Sequence, residues 1–315
     1  MRRILVTGAN GFVGSHLHPA LRDAFPSAEL IAATRGEAAQ GWDRVVPLDL
    51  LDIASCSAAL RAARPDAVIH LAALAETGAS FRDPQRTWRT NLLGTLAIAE
   101  AVLAEAPAAL FVQASSAEVY GLSFQSGRPL DEDAPMRPAN PYAASKAAAD
   151  LALGEMALRG LRAVRLRPFN HTGPGQSESF VVAAFARQVA LIAAGRQEPV
   201  IRVGALDRCR DFLDVADVCR GYVAVLQHGT RLPPGAVYNL ASGVSREIGS
   251  ILRDLTRLAG IAPSIDQETA RLRATDVART VGNAAAARAV LGWTPTVPWE
   301  ATLQTVLADW QARIG

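Results

Sequence analysis

A tyrosine, a lysine and a serine in the middle of this sequence could together move a proton. Tyr142 and Lys146 stand four residues apart in an alanine-rich segment, so on a helix both side chains project from one face. A free tyrosine titrates near about 10, and a neighbouring ammonium stabilises the phenolate, which brings the hydroxyl towards proton donation at neutral pH. Ser116, in the run Ser115-Ser116-Ala117-Glu118, could hold a substrate oxygen. A chance pair on a surface helix is the alternative for the tyrosine and lysine alone.

Three glycines within seven residues precede these groups. The apolar run Arg3-Ile4-Leu5-Val6 is typical of a strand and residues 15–21 of a helix, so the glycines stand on a strand-to-helix turn. Glycines there let the backbone and the helix N-terminus approach a pyrophosphate, although the Gly-x-x-Gly-x-x-Gly spacing also fits a plain turn. The turn predicts a bound dinucleotide. The contacts predicted for it are Gly8, Asn10, Gly11, Phe12, Val13 and Gly14.

The elements that must position these groups follow from the hydrophobic pattern. Strand-like runs alternate with alanine-rich helical runs, which predicts an α/β fold with a doubly wound parallel sheet of the Rossmann type. Residues 1–169 and 211–241 form this predicted dinucleotide-binding domain. Residues 170–210 and 242–315, where turns and short helices replace the alternation, form a smaller mixed α/β substrate-binding lobe. The predicted strands after the first are residues 30–33, 44–48, 67–71, 109–114, 163–166 and 237–240.

The ends of the predicted strands indicate which dinucleotide binds. About twenty residues after the glycines, where an NAD enzyme places an acidic residue on the ribose 2′-hydroxyl, this chain has Arg35, which could meet a 2′-phosphate. We expect NADP(H), while nearby Glu37 keeps NAD open and a solvated arginine is the alternative. Asp49 either contacts the adenine amino group or caps the helix after Leu51. His70 is expected to be a satisfied core histidine, and the small residues after it let a cofactor lie against the backbone at Leu71, Ala72 and Ala73.

Composition narrows the range of partners. The 315 residues are 50% hydrophobic and 20% charged, with a net charge of +2, which indicates neither a nucleic-acid nor a membrane surface. Cys56, Cys209 and Cys219 fit neither a disulfide framework nor paired metal ligands, so we expect core thiols and no metal. The N-terminus enters a strand without a signal segment, so the expected location is cytoplasmic.

The motifs that carry a family resemblance are Gly8/Gly11/Gly14, Asp49, His70-Leu71-Ala72-Ala73, Asn91 with Gly94-Thr95, Ser116, Tyr142/Lys146 and Arg167-Pro168-Phe169-Asn170. Over nearly the whole chain they resemble the extended short-chain dehydrogenase/reductase superfamily of nucleotide-sugar enzymes. The resemblance implies that Ser116, Tyr142 and Lys146 form a catalytic triad, and that the tyrosine exchanges a proton with a sugar hydroxyl or ketone. It implies that Arg210 and Arg273 grip the diphosphate, with structural ion pairs as the alternative. Further implied contacts are Leu50, Asn91, Tyr142, Lys146 and Pro168 to the cofactor, and Ser116, Glu118, Asn170 and Val203 to the substrate.

One run points to a branch of this superfamily. Residues 169–176, beginning Phe169-Asn170-His171, are similar to the GDP-4-dehydro-6-deoxy-D-mannose reductases rather than to the UDP or dTDP branches. That resemblance implies hydride transfer from NADPH to the C4 ketone of a GDP-sugar, with Tyr142 giving the proton and GDP-D-rhamnose as product. The configuration at C4, rhamnose or 6-deoxytalose, stays open. It also implies a homodimer in which the helices around Asn91 to Leu103 and Tyr142 to Leu158 pair with their copies.

Three other functions stay open. A GDP-mannose 4,6-dehydratase would use the same tyrosine and lysine, with Glu118 as the base that removes the C5 proton. Ala117 stands where many dehydratases carry a polar residue, which favours the reductase. A nucleotide-sugar 4-epimerase is a further alternative. The last is a redox-sensing or structural protein that binds NADP without turnover, against which the intact Ser116, Tyr142 and Lys146 weigh.

Overall fold

Seven strands of the described chain form one parallel sheet. The structure is a computed structural model, which describes residues 1–36, 38–268 and 277–315. The strands are β1 (Arg3–Thr7), β2 (Glu29–Thr34), β3 (Arg44–Pro47), β4 (Ala67–His70), β5 (Leu110–Ala114), β6 (Ala163–Pro168), β7 (Asn170–Thr172), β8 (Val200–Val203), β9 (Cys209–Asp214), β10 (Ala236–Leu240), β11 (Ser245–Glu247), β12 (Ser264–Gln267) and β13 (Arg279–Thr280). The large sheet has the order β10-β6-β5-β4-β1-β2-β3. The predicted doubly wound fold is confirmed.

The strand order reverses between β1 and β4. From β1 the chain builds outwards through β2 and β3, then crosses back to β4 and builds the other half. All of these pairings are parallel, so the carboxyl ends of the strands meet at one edge of the sheet. In such sheets ligands bind in the crevice at this reversal.

Helices cover both faces of the large sheet. The helices are α1 (Phe12–Ala24), α2 (Ile53–Ala63), α3 (Thr77–Arg82), α4 (Pro84–Trp88), α5 (Gly94–Glu105), α6 (Pro141–Leu158), α7 (Val181–Ala193), α8 (Val215–His228), α9 (Ile248–Ala259), α10 (Ala285–Leu291) and α11 (Trp299–Ile314), with a π-helical turn at Arg89–Leu93 and 3₁₀ turns at Ala117–Ser126 and Gly229–Arg231. Ile4 and Val6 point to the α1 and α8 side, and Leu5 points to the α2, α5 and α6 side. A strand buried on both faces reads as a continuous apolar run, as β1 does.

The start of α6 places the tyrosine and the lysine. Asn140 caps this helix, because its Oδ1 accepts a hydrogen bond of 2.7 Å from the amide of Ala143. Pro141 follows at the first helical position, where its missing N–H costs nothing. Tyr142 therefore lies in the first turn, and Lys146 one turn later on the same face.

A second, smaller lobe follows β6. Strand β9 pairs with β7, β11 and β13, while β8 pairs with β12. Helices α7, α9 and α11 pack together around their own apolar core, which includes Phe185, Leu255 and Val306. No helix within the described ranges is long and apolar enough to cross a membrane.

Two segments belong to the other lobe than the one predicted for them. Residues 211–214 belong to β9 and hence to the small sheet, because their backbone pairs there. Helix α10, which the prediction gave to the substrate lobe, packs against β10 and α8, with Ala287 and Leu291 in the core of the large domain. We propose the two-lobe division with these two changes.

Candidate active site

The glycine turn brings backbone close to backbone. Gly8 has φ +71°, and a Cβ on it would lie 2.8 Å from the amide nitrogen of Ala72. A Cβ on Gly14 would collide with the carbonyl oxygens of Gly8 and Ala9, so α1 passes this close only with glycine there. No side chain caps α1, whose first amides therefore face the turn without a side-chain acceptor. The turn fits a pyrophosphate.

A cavity of about 370 Å³ lies on one side of the turn, at the ends of β1, β2 and β3. Asn10, Arg35, Asp49 and Leu50, all predicted as cofactor contacts, line it. Arg86 of α4 also lines it and was not predicted. A cavity walled by a glycine turn and cationic side chains suits the phosphorylated adenosine end of a dinucleotide.

Asp49 does not cap the helix that follows it. Its Oδ1 accepts a hydrogen bond of 2.9 Å from the amide of Leu51, which closes a turn before the helix begins. Asp52 is the cap of α2, since its Oδ1 accepts from the amide of Ala54 at 2.9 Å. The helix-cap interpretation of Asp49 was therefore wrong, and its adenine contact stays a prediction.

His70 is a buried, satisfied core histidine, as expected. Its Nδ1 lies 2.7 Å from the hydroxyl of Thr7, and its Nε2 lies 3.0 Å from the hydroxyl of Thr95. Burial lowers the pKa of His70 to about 3, and the charge of Lys146 acts in the same direction. The ring is neutral at physiological pH and serves the packing of the sheet edge.

Asn91 is a buried residue whose side chain joins two elements next to the site. It is fully buried, and its side chain both accepts from and donates to the backbone of Leu74, at 2.8 and 3.0 Å. Its Nδ2 also donates to the hydroxyl of Ser145 on α6, at 3.1 Å. Neither cavity has Asn91 among its described lining residues. In this structure the residue joins the loop after β4 to α6 and makes no part of the wall that a cofactor would meet.

The three predicted catalytic side chains meet in a larger cavity of about 430 Å³. Lys146 is buried, and its Nζ donates a hydrogen bond of 2.8 Å to the carbonyl oxygen of Ala114 at the end of β5. The hydroxyl of Ser116 lies close enough to that of Tyr142 to lower its pKa. Ser116 also accepts from the amide of Glu118 at 3.1 Å, which fixes its orientation.

The surroundings raise the pKa of Tyr142 and lower that of Lys146. Burial raises the pKa of the Tyr142 hydroxyl to about 12, against the lowering effect of Ser116. Burial lowers the pKa of Lys146 to about 8, against the raising effect of Asp150. The lowered tyrosine pKa expected from the sequence was thus wrong, because desolvation outweighs the other effects. The protonated tyrosine is a poor base and a ready hydrogen-bond donor.

Glu118 lies in the cavity wall with one carboxylate oxygen engaged. Its Oε2 accepts a hydrogen bond of 2.9 Å from Nδ2 of Asn140, the residue that caps α6. Because the same asparagine holds the helix start, Glu118 helps to position the turn that carries Tyr142. The geometry gives this carboxylate a structural partner.

The predicted substrate contacts separate into three groups. Asn170 and Arg210 line the large cavity, and Nη1 of Arg210 donates to the carbonyl oxygen of Cys209 at 2.8 Å. Val203 lies in β8, is 1% exposed and packs in the core of the small lobe instead. Arg273 lies outside the described residues, as does Glu37. The remaining predicted contacts, Phe12, Val13, Leu71, Ala72, Ala73 and Pro168, line the large cavity.

A buried ion cluster was missed from the sequence. Asp150, fully buried on α6, accepts from the hydroxyl of Ser115 at 2.5 Å and from Nε and Nη2 of Arg167 at 3.0 and 2.9 Å. Arg165 adds a hydrogen bond of 3.0 Å to the other carboxylate oxygen. Arg167 also donates to the hydroxyl of Tyr120, at 3.0 Å. These residues are far apart in the chain, and only the fold brings them together beside the catalytic residues.

The chain matches known proteins over almost its whole length. A family model described as GDP-mannose 4,6 dehydratase matches residues 5–306. A GDP-6-deoxy-D-mannose reductase of Pseudomonas aeruginosa is 38% identical over 314 residues, which cover 99% of this chain and 98% of that protein. A GDP-mannose 4,6-dehydratase of Sinorhizobium fredii is 30% identical over 78% of this chain and 75% of its own length.

Solved structures agree with these matches. The structure of RMD from P. aeruginosa complexed with NADPH has a TM-score of 0.86 and 37% identity, and covers 99% of this chain and 100% of that one. A UDP-glucose 4-epimerase of Thermus thermophilus complexed with NAD has a TM-score of 0.86 and 29% identity, with 99% of both chains covered. The predicted membership in the extended short-chain dehydrogenase/reductase superfamily is confirmed: the chain belongs to the GDP-mannose 4,6 dehydratase family.

Proposed function

We propose that this protein reduces the C4 ketone of GDP-4-dehydro-6-deoxy-D-mannose with NADPH and releases GDP-D-rhamnose. The observation that carries the proposal is the meeting of Ser116, Tyr142 and Lys146 in one cavity that continues past a glycine turn. The similar P. aeruginosa reductase supports the reaction, and the expectation of a nucleotide-sugar oxidoreductase is confirmed by such relatives. The alternative of a protein that binds NADP without turnover is disfavoured by the same relatives.

The cavities support NADP(H) as the cofactor. The glycine turn fits a pyrophosphate, and Arg35 lines the smaller cavity where a ribose 2′-phosphate would need a cation. The NADPH in the similar reductase structure bears out the prediction of this cofactor. When bound, NADPH supplies the hydride.

Three residues of this chain then handle the proton. Ser116 holds the C4 oxygen of the sugar through its hydroxyl, while Tyr142 gives its proton to that oxygen as the ketone becomes an alcohol. The tyrosinate so formed is stabilised by the Lys146 ammonium, which the Ala114 carbonyl keeps in place. The raised pKa of Tyr142 keeps the hydroxyl protonated until the transfer.

Arginine and asparagine side chains are proposed to hold the substrate. Arg210 and Asn170 line the cavity on its small-lobe side, where a guanidinium can make bidentate contacts with a diphosphate. Arg273 is proposed as the second diphosphate ligand on the resemblance alone. The sugar then extends from these groups towards Ser116 and Glu118 across the cavity.

Glu118 favours the reductase over the dehydratase. A dehydratase needs this carboxylate as a free base near C5, whereas here one of its oxygens is bound to Asn140. A reductase needs no such base. Dehydratase and 4-epimerase relatives exist at lower identity, so the test must distinguish all three reactions.

The test follows NADPH absorbance with two sugars. With GDP-4-dehydro-6-deoxy-D-mannose, one NADPH should be consumed for each sugar; with GDP-mannose, neither NADPH nor sugar should change. Loss of water from GDP-mannose without net NADPH consumption would replace the proposal by the dehydratase. NMR of the product distinguishes rhamnose from 6-deoxytalose, and UDP-glucose serves as the control for epimerisation.

We further propose a homodimer through α5 and α6. Leu151 and Leu158 on α6 are 62% and 90% exposed, and Leu93, directly before α5, is 53% exposed, so uncovered apolar side chains lie on α6 and beside α5. Sedimentation at micromolar concentration should show a dimer that Leu151→Glu dissociates. A monomeric wild-type protein would reject this arrangement. The cytoplasmic location stays a prediction.

A further inference from the structure

Tyr222 is a buried tyrosine whose hydroxyl has no hydrogen-bond partner among the described residues. It lies on α8, is 1% exposed and lines the large cavity. Its hydroxyl makes no hydrogen bond to any residue that the structure describes. By contrast, the equally buried Tyr120 donates to Asn239 at 2.7 Å and accepts from Arg167 at 3.0 Å. A buried tyrosine hydroxyl normally finds a partner, so an unpaired hydroxyl in a cavity wall points to a ligand.

The two cavity tyrosines reach the site from opposite faces of the sheet. Helix α8, which carries Tyr222, packs with α1 on one face, and α6, which carries Tyr142, packs with α5 on the other. Burial raises the pKa of Tyr222, and Cys219 and Tyr142 act in the same direction. The Tyr222 hydroxyl therefore keeps its proton at every pH at which the protein would work and faces the cavity as a donor.

The walls around this hydroxyl suit a neutral ligand group. Phe12, Val13, Pro168 and Phe169 share this cavity with Tyr222 and have no side-chain charge. The two groups close enough to act on the pKa of Tyr222, Cys219 and Tyr142, are uncharged at neutral pH, so its hydroxyl pairs best with a neutral carbonyl or amide. Of the two cations among the described lining residues, Arg210 belongs to the small lobe and Lys146 is bound to the carbonyl oxygen of Ala114.

The order of the cavities decides which ligand group comes here. The smaller cavity, at Arg35, suits the adenosine end of a dinucleotide. The glycine turn follows it, and the large cavity with Tyr142 lies beyond the turn. The nicotinamide end of the dinucleotide therefore enters the large cavity. The neutral polar group on that ring is its carboxamide. Resting on the proposed use of NADP(H), we propose that the Tyr222 hydroxyl donates a hydrogen bond to the carboxamide oxygen and so fixes the rotation of the nicotinamide ring.

This contact gives Tyr222 a positioning role. A ring held at its carboxamide presents one face, whereas a ring free to rotate about its glycosidic bond can present either. The hydroxyl does not take part in proton transfer, which belongs to Tyr142. Its removal should therefore appear first in cofactor binding, before any effect on the chemistry.

The test measures dissociation constants by calorimetry, without a sugar present. Tyr222→Phe should weaken NADP⁺ roughly 5- to 10-fold, the effect of one hydrogen bond, and leave 2′-phospho-ADP-ribose, which lacks the ring, unchanged. The control Tyr238→Phe removes a hydroxyl from a buried tyrosine that lines neither cavity and should change neither ligand. Equal weakening of both ligands, or no weakening of NADP⁺, would overturn the contact.

Two further ligands separate the other possibilities. The 3-acetylpyridine analogue of NADP⁺ keeps the carbonyl and lacks the amide nitrogen, so Tyr222→Phe should weaken it as much as NADP⁺. If Tyr222→Phe binds this analogue as tightly as the wild-type protein does, the assignment to the carboxamide oxygen is overturned. GDP should bind both proteins equally, and weaker GDP binding by Tyr222→Phe would place the hydroxyl on the substrate side. A wild-type protein that binds no NADP⁺ would instead reject the proposed cofactor.

Discussion

Helix α6 carries its polar groups into two surroundings that differ in how fully they are paired. On one side Asp150 meets Ser115, Arg165 and Arg167, and each carboxylate oxygen has at least two donors. On the cavity side Ser116 is the one described residue that lowers the pKa of the Tyr142 hydroxyl, and the tyrosine lines the cavity. On the paired side the carboxylate of Asp150 is fully engaged by protein donors.

The difference separates stability from function along one helix. A buried charge with several donors is costly to disturb, because its removal leaves the opposite charges buried and unpaired. Removal of a cavity hydroxyl that can still bind a ligand should change the free energy of unfolding little and should lower turnover strongly. Substitutions on the two sides should therefore change different quantities.

The largest effect should come from Tyr142→Phe. The ring still packs while the proton donor is gone, so turnover should fall by roughly 10²- to 10⁴-fold with NADPH affinity and unfolding free energy near normal. Assays of NADPH oxidation measure turnover, and urea denaturation measures the free energy of unfolding. Turnover close to that of the wild type would remove the proposed mechanism.

The opposite result is expected for Asp150→Ala. Two buried guanidinium groups lose their carboxylate, so the unfolding free energy should drop by about 3–5 kcal/mol in urea denaturation. Asp150→Asn, which keeps the shape, should lie between this variant and the wild type. A loss below about 1 kcal/mol would mean that the cluster does not stabilise the fold.

Arg35→Ala should affect the cofactor alone. Loss of a charge-assisted contact to the 2′-phosphate should weaken NADPH roughly 10- to 100-fold and leave NADH almost unchanged. Arg128→Ala, at an exposed arginine that lines neither cavity, is the matched control for a general loss of positive charge. Equal weakening of NADPH and NADH by Arg35→Ala would reject its assignment.

The titration of Lys146 should make kcat/KM depend on pH. Because the pKa of Lys146 is lowered to about 8, the ammonium is present below that pH and lost above it. The value of kcat/KM should therefore fall about tenfold per pH unit above about 8. Lys146→Arg, charged throughout, should lack this decrease. Persistence of the same decrease in that variant would assign it to another group.

Glu118→Gln should have the smallest effect. The substitution keeps the shape, so a reductase should lose about tenfold in turnover, about 1.4 kcal/mol. A dehydratase would lose its base and therefore roughly 10²- to 10⁴-fold. Asn140→Ala, which removes the partner of Glu118, should slow turnover to a similar extent if positioning is the role of this carboxylate.

Local patterns predicted the large domain well. The run Arg3-Ile4-Leu5-Val6 and the glycines after it specify a strand, a turn and a helix within a short stretch, and each is present. Tyr142 and Lys146 were placed together because one helix carries both. Such predictions succeed where neighbours in sequence are also neighbours in space.

The rest depended on contacts between distant parts of the chain. Asp150 meets Ser115 and Arg167 only after three elements have packed, and no local pattern marks that cluster. The tyrosine pKa was misjudged because burial cannot be read from the Tyr142-to-Lys146 spacing. Tyr222 was missed because a lone tyrosine in an apolar helix reads as core.

The most direct test of the proposed reaction follows a label from the cofactor to the sugar. NADPH carrying deuterium at the transferable C4 position should place that deuterium on C4 of the GDP-sugar product, as read by NMR, when GDP-4-dehydro-6-deoxy-D-mannose is supplied. Tyr142→Phe should slow the transfer by roughly 10²- to 10⁴-fold. A product that contains no deuterium from NADPH, or one formed from GDP-mannose by loss of water, would contradict the account.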